Sequence, residues 1–171
     1  MRRLNSRGSQ LVSGGVLKEL VERIGTPEEA SDALRALELA WLRRAGSNRG
    51  GAHFSALAPW PADLDLAGSL VRRCLAAGAP DVALRAMRGA VSLGLPADEG
   101  ALRALVDDAA GRGDARALLG AWLAATQNHA RPSAGLVRAV AEGLRGAGHA
   151  GLAGKVVAEA ELNGVAVGGD A

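Results

Sequence analysis

The chain has 171 residues, enough for one compact domain or one short solenoid whose apolar burial sustains a fold without disulfides or metals. Its apolar fraction of 49% is carried by Ala, Leu and Val, with one Phe, three Trp and no Tyr, which favours close-packed helices over a sheet. A net charge of +2 excludes a protein held to nucleic acid by a large positive field alone, and one cysteine, Cys74, excludes an internal disulfide and suits a reducing compartment.

Residues 1–15 carry Arg2, Arg3 and Arg7 with several Ser and no acid, which reads either as an organelle-targeting leader or as a disordered basic tail. Residues 16–45 then read as a helix pair. Val16, Leu17, Leu20, Val21 and Ile24 recur at helical spacing up to Gly25. Thr26-Pro27-Glu28-Glu29 follows as the clearest helix start in the chain, with a capping Thr, a Pro in the first turn and a Glu placed to close a capping box. The stripe Ala30, Ala33, Leu34, Leu37, Ala40 and Trp41 carries that second helix to about Arg44.

Residues 46–61 hold Gly, Ser, Asn and two Pro in no periodic pattern and read as a linker, with Phe54 and Trp60 as points of local order. Beyond it, over 62–165, an internal repeat of about 35 residues appears. Pro61-Ala62-Asp63 returns as Pro96-Ala97-Asp98, and Leu70-Val71 as Leu105-Val106. Gly78 returns as Gly113 and Gly148, and Arg103-Ala104 as Arg138-Ala139. One slip is visible, because the third proline is Pro132. Each copy holds two amphipathic stretches broken by a Gly turn. In the second copy these are Leu102, Leu105, Val106 and Ala109, then Ala115, Leu118, Leu119, Trp122 and Leu123. A single hairpin cannot bury such faces, so the copies are expected to stack. Residues 166–171 read as a tail. The fold class expected is all-α: antiparallel helix hairpins stacked as a short solenoid.

A helix pair of this length with a short Gly turn and a Gly94-Leu95-Pro96-Ala97-Asp98 segment between copies resembles the pentatricopeptide repeat family, over roughly residues 61–165. Tetratricopeptide repeats are the near alternative, but their Trp, Gly, Tyr and Pro signature is absent. A narrower likeness, in the order of elements from residue 20 to about 125, is to pentatricopeptide-type components of the mitochondrial small ribosomal subunit. It implies a structural subunit in the mitochondrial matrix that contacts ribosomal RNA without sequence specificity and touches neighbouring ribosomal proteins. A chloroplast or cytoplasmic location is the alternative, and so is a helical-repeat adaptor that binds a protein segment without RNA.

The resemblance also implies where base-reading residues would stand. One role falls on Gly68, Arg103 and Arg138, its partner role on Asp63, Asp98 and Ser133, and the packing role on Asp65, Gly100 and Gly135. Gly offers a base neither hydrogen bonds nor a stacking surface, so base reading is not expected. Phosphate contact remains open to Arg72, Arg73, Arg85, Arg88, Arg103, Arg112, Arg116, Arg138 and Arg145, whose guanidinium forks suit phosphate geometry. For each of them the alternative is a solvated face, since Asp107, Asp108, Asp114, Glu142 and Glu159 are interspersed.

No catalytic, metal or cofactor constellation is expected, nor a small-molecule substrate or a membrane span. Gly146-Ala147-Gly148-His149-Ala150-Gly151 matches a dinucleotide fingerprint as text but follows a helical stripe, not a strand. His53, His129 and His149 are too scattered to share a metal. Asp107-Asp108 and Glu28-Glu29 are adjacent carboxylates that point apart on a helix, and Cys74 reads as a core thiol.

Overall fold

The computed structural model describes residues 14–47, 61–127 and 131–167, and side chains within that range except at 14, 41–47 and 61–65. Residues 1–13 of the leader, most of the linker with His53, Phe54 and Trp60, and His129 fall outside the described residues. So do the last four residues and the side chains of Trp41, Asp63 and Asp65. The fold is all-helical: eight helices and no strand among the described residues. They are α1 (Gly14–Glu22), α2 (Pro27–Ser47), α3 (Pro61–Ala76), α4 (Pro80–Ser92), α5 (Glu99–Gly111), α6 (Ala115–Thr126), α7 (Ala134–Gly146) and α8 (Ala150–Leu162).

Local chemistry starts and stops these helices where the sequence indicates. At the head of α2, Glu29 Oε2 accepts from the Thr26 amide at 3.1 Å and from the Gly25 amide at 2.8 Å, while the Glu29 amide donates to Thr26 Oγ1 at 3.3 Å. That is the expected capping box, extended by one residue. Asp98, Asp114 and Ser133 cap α5, α6 and α7 by accepting from the amides of Ala101, Ala117 and Leu136 at 3.0, 2.9 and 3.2 Å. Each such cap contributes about 0.5–2 kcal/mol. Asp98 and Ser133 stand one period apart although Pro96 and Pro132 do not. The slip in the third proline is therefore absorbed in the connection, and the helices keep register.

Five helices end on the same device. The amides of Ala79, Asp114 and His149 donate to the carbonyls of Cys74, Ala109 and Leu144 at 2.8–2.9 Å, across Gly78, Gly113 and Gly148. These glycines have φ of 71°, 64° and 82°, a left-handed conformation that L side chains resist. The same closure ends α4 at Gly94 and α8 at Gly164.

Packing follows two rows. α1 packs on α3, α3 on α5 and α5 on α7, while α2 packs on α4 and α4 on α6. Short turns fold α3 onto α4, α5 onto α6 and α7 onto α8. Corresponding positions are buried together: Leu70, Leu105 and Val140; Cys74, Ala109 and Leu144; Ala83, Leu118 and Ala153; Ala90, Ala125 and Ala160. The first pair obeys the same rule. Gly25-Thr26-Pro27-Glu28 stands to α1 and α2 as Gly78-Ala79-Pro80-Asp81 stands to α3 and α4. Leu17 and Val21 match Leu70 and Cys74, and Ala30, Ala33, Leu34 and Leu37 match Ala83, Ala86, Met87 and Ala90, all buried. The segment from 46 to 61 therefore separates no core. One hydrophobic cluster runs from Leu17 to Val165.

Several boundaries differ from expectation. α1 begins at Gly14, inside the stretch read as a leader, α2 runs to Ser47 and α3 begins at Pro61, at the two ends of the segment read as linker, and Ile24 is buried although it lies beyond the end of α1. At Ile24 burial extends beyond the last turn of the helix.

Candidate binding faces

The nine arginines do not gather on one face. Arg72 and Arg73 belong to α3, Arg103 to α5, and Arg138 and Arg145 to α7, the row that begins with α1. Arg85 and Arg88 belong to α4 and Arg116 to α6, in the other row, and Arg112 lies in the turn between α5 and α6. Four of them are held by carboxylates. Arg72 Nη1 lies 3.2 Å from Asp98 Oδ2, Arg85 Nε 3.3 Å from Glu38 Oε1, and Arg103 Nε 3.0 Å from Asp107 Oδ1. Arg112 sits between Asp108 at 2.7 Å and Asp114 at 3.0 Å. The hydrogen bonds that Arg112 donates to Asp108 raise its pKa above its ordinary value. The Ala117 amide, with help from Arg112, holds the Asp114 carboxyl below its own. Arg73, Arg88, Arg116, Arg138 and Arg145 are exposed and make no ion pair among the described residues.

Several of the positions to which the family likeness would assign base reading are occupied by contacts between helices, while Arg138 is exposed. Asp98 uses one carboxylate oxygen to cap α5 and the other to accept from Arg72 of α3. It fits there because residue 68 has no side chain: a Cβ on Gly68 would lie 2.1 Å from Asp98 Oδ2. One copy further on, Ser133 donates its hydroxyl to Glu99, and Arg103 Nη1 donates to the Gly135 carbonyl at 3.4 Å. Gly68, Asp98, Arg103 and Ser133 thus fasten α3 to α5 and α5 to α7. Sequence reasoning missed this interlock. Its one visible signal was that a glycine occupies, in α3, the place held by arginine in α5 and α7.

The remaining motifs resolve into packing. Cys74 is fully buried, and burial pushes its thiol up to about 11, far from a reactive thiolate. Gly146 ends α7, Gly148 forms the turn and exposed His149 precedes α8, so no strand delivers this run to a phosphate. Asp107 and Asp108 point to Arg103 and Arg112 respectively, as adjacent helix residues must. Among the described residues no cluster of His, Cys, Asp and Glu is arranged to hold a metal ion, and no helix is long and apolar enough to cross a membrane.

Comparison of the chain with known protein families, with curated proteins and with solved structures finds no match to any of them.

Proposed function

We propose that the protein is a pentatricopeptide-like stack of helix hairpins acting as a structural, non-catalytic subunit of an organellar ribonucleoprotein, of the kind present in the mitochondrial small ribosomal subunit. The observation that carries the reading is positional. From α3 onward the same places in successive hairpins are buried and closed by a left-handed glycine, and like helices pack on like from α1 to α7 in one row and from α2 to α6 in the other. Such stacking makes an extended surface and gathers no reaction centre, which suits binding. RNA is met at its backbone only, through Arg73, Arg88, Arg116, Arg138 and Arg145, the arginines without carboxylate partners. Of the residues at the base-reading positions, Gly68, Asp98, Arg103 and Ser133 are engaged between neighbouring helices instead.

A second reading, an adaptor for a protein segment without RNA, is favoured by one observation. On α5 and its cap, Asp98, Glu99, Asp107 and Asp108 outnumber Arg103, and this acidity opposes phosphate along the middle of the row. Sedimentation of organellar lysate separates the two. Co-migration with ribosomal particles that nuclease abolishes supports the first. Retention of a protein partner after nuclease, with no particle association, replaces it with the second.

A further inference from the structure

Arg116 is set against the local preference of its helix. It is the one charged residue of α6 and stands in the first turn, where the positive end of the helix dipole disfavours a cation. In the shared register its place is held by Glu28 in α2 and by Asp81 in α4. Arg116 is exposed and makes no ion pair among the described residues. A local preference broken without a compensating contact points to a surface kept for binding. Arg88 of α4, also exposed and without an ion pair among the described residues, is its neighbour across the joint. Leu84 of α4 packs on Gly120 of α6, where an added Cβ would lie 2.8 Å from Leu84 Cδ2. Arg88 stands one turn after Leu84 and Arg116 one turn before Gly120, so the two arginines flank the line along which the helices meet, on its solvent side.

The acids around this face are already engaged. Glu38 is paired with Arg85, Asp114 with Arg112 and the Ala117 amide, and Asp81 lies in the first turn of α4, where the helix dipole offsets its charge. Arg88 shares with Arg85, Gly89 and Ser92 an open cavity of about 290 Å³, bordered also by Glu38 and Asp81, with room for a phosphate group beside the exposed Ser92 hydroxyl. The first-helix row has no comparable stretch, because Glu99, Asp107 and Asp108 of α5 stand between Arg73 of α3 and Arg138 and Arg145 of α7. The face of α4 and α6 therefore suits a polyanion, and the aromatic content says of which form. Single-stranded RNA is gripped largely by stacking its bases on aromatic rings, whereas duplex RNA is held through its phosphates and 2′-hydroxyls. From residue 61 to residue 171 Trp122 is the only Phe, Trp or Tyr, and it is buried with its indole N–H on Glu159.

We propose that the outer face of α4 and α6 is the principal RNA contact and that the RNA it takes is double-helical. Its phosphates rest on Arg88 and Arg116, and the Ser92 hydroxyl bonds a phosphate or a 2′-hydroxyl beside Arg88. The inference rests on the ribonucleoprotein reading above and deepens it: two of the five arginines without carboxylate partners carry most of the binding, and the form of the RNA is specified. Sequence plays no part in the contact, since a phosphate presents the same oxygens whatever base it joins.

Fluorescence anisotropy on the full chain tests this with a mixed-sequence RNA duplex of about 16 base pairs, with either of its strands alone, and with polyglutamate as an acidic polypeptide, all at about 50 mM salt. The duplex should bind more tightly than the strand or the polypeptide. Arg88→Gln with Arg116→Gln should weaken duplex binding about ten-fold and make its log–log salt dependence shallower by about 2. Arg138→Gln with Arg145→Gln should weaken it less, and Lys18→Gln with Arg23→Gln, which removes the same charge from α1, should leave it unchanged. These positions are all exposed, and circular dichroism checks that each variant folds. A loss from the α7 pair or the α1 pair that equals or exceeds the loss from Arg88 and Arg116 overturns the assigned face. Tighter binding of the single strand overturns the assigned form of RNA, and tighter binding of polyglutamate makes an acidic protein segment the occupant. Failure to bind any probe overturns the inference as well. The ribonucleoprotein reading stands or falls separately, on nuclease-sensitive co-migration with ribosomal particles.

Discussion

Gly143→Ala sets two physical effects of known size against each other at one atom. In an open helix, replacing Gly by Ala stabilises by about 1 kcal/mol through backbone entropy and propensity. At Gly143 the new methyl would sit 3.0 and 3.1 Å from the two terminal carbons of Leu118 and 3.1 Å from Ala110 Cβ, tighter than ordinary van der Waals contact. Leu118 is fully buried, so its side chain has no solvent to retreat into. Overpacking of this kind costs about 1–3 kcal/mol, which exceeds the propensity gain. The expected net is a loss of about 1 kcal/mol, or a Tm lower by about 3 °C for a chain of this size. Gly154 of α8 has nothing within 4 Å of a built Cβ, and Gly154→Ala should therefore raise stability by about 0.5–1 kcal/mol. Thermal melts followed at 222 nm compare the pair directly. Leu118→Val in the Gly143→Ala background should cost less than Leu118→Val alone, because it makes room for the methyl. If Gly143→Ala melts as high as Gly154→Ala, α7 does not approach α5 and α6 as described and the argument fails.

Three further outcomes are expected. Asp98→Ala loses both the cap of α5 and the link to Arg72, and chemical denaturation should show a loss of about 1–2 kcal/mol that shrinks in a Gly68→Ala background, where the Cβ already displaces the carboxylate. Trp122, 2% exposed, donates its indole N–H to Glu159 Oε2 at 3.0 Å, so Glu159→Ala should cost about 1–3 kcal/mol and Glu159→Gln less, read by tryptophan fluorescence during urea unfolding. Cys74 has its thiol pKa raised by burial from 9.0 to about 11, so between those values the unfolded chain gives up a proton that the folded chain keeps. Stability should accordingly fall as pH rises from about 9 to 11, a slope absent in Cys74→Ala. A thiol reagent that reacts with Cys74 at pH 8 as fast in the native protein as in denaturant would contradict this.

Helix identity and helix ends were legible in the sequence because they depend on neighbours along the chain. The Thr26–Glu29 box, the Gly78, Gly113 and Gly148 turns, and the apolar stripes through Leu70, Leu105 and Val140 need only a local period and local hydrogen bonds, and the structure contains them. Burial of Cys74 was readable for the same reason. The pairing of Arg103 with Asp107 and of Arg112 with Asp108 is local and follows helix spacing, but the contacts between helices were not readable, because they are set by a helix in another hairpin. Arg72 and Arg103 resemble Arg138 in sequence context, yet the first meets Asp98 and the second the Gly135 carbonyl, both brought near only by the packing of α3, α5 and α7.

The place of the first helix pair shows the same division. The sequence alone determined that residues 16–45 form two amphipathic helices, since spacing, capping and a terminating glycine act within a few residues. Only the tertiary structure decided that they join the core of the remaining hairpins and leave Val16 and Leu20 bare. Side-chain periodicity fixes which face is apolar, but which apolar face finds a partner depends on the distances and volumes of residues far away in the chain.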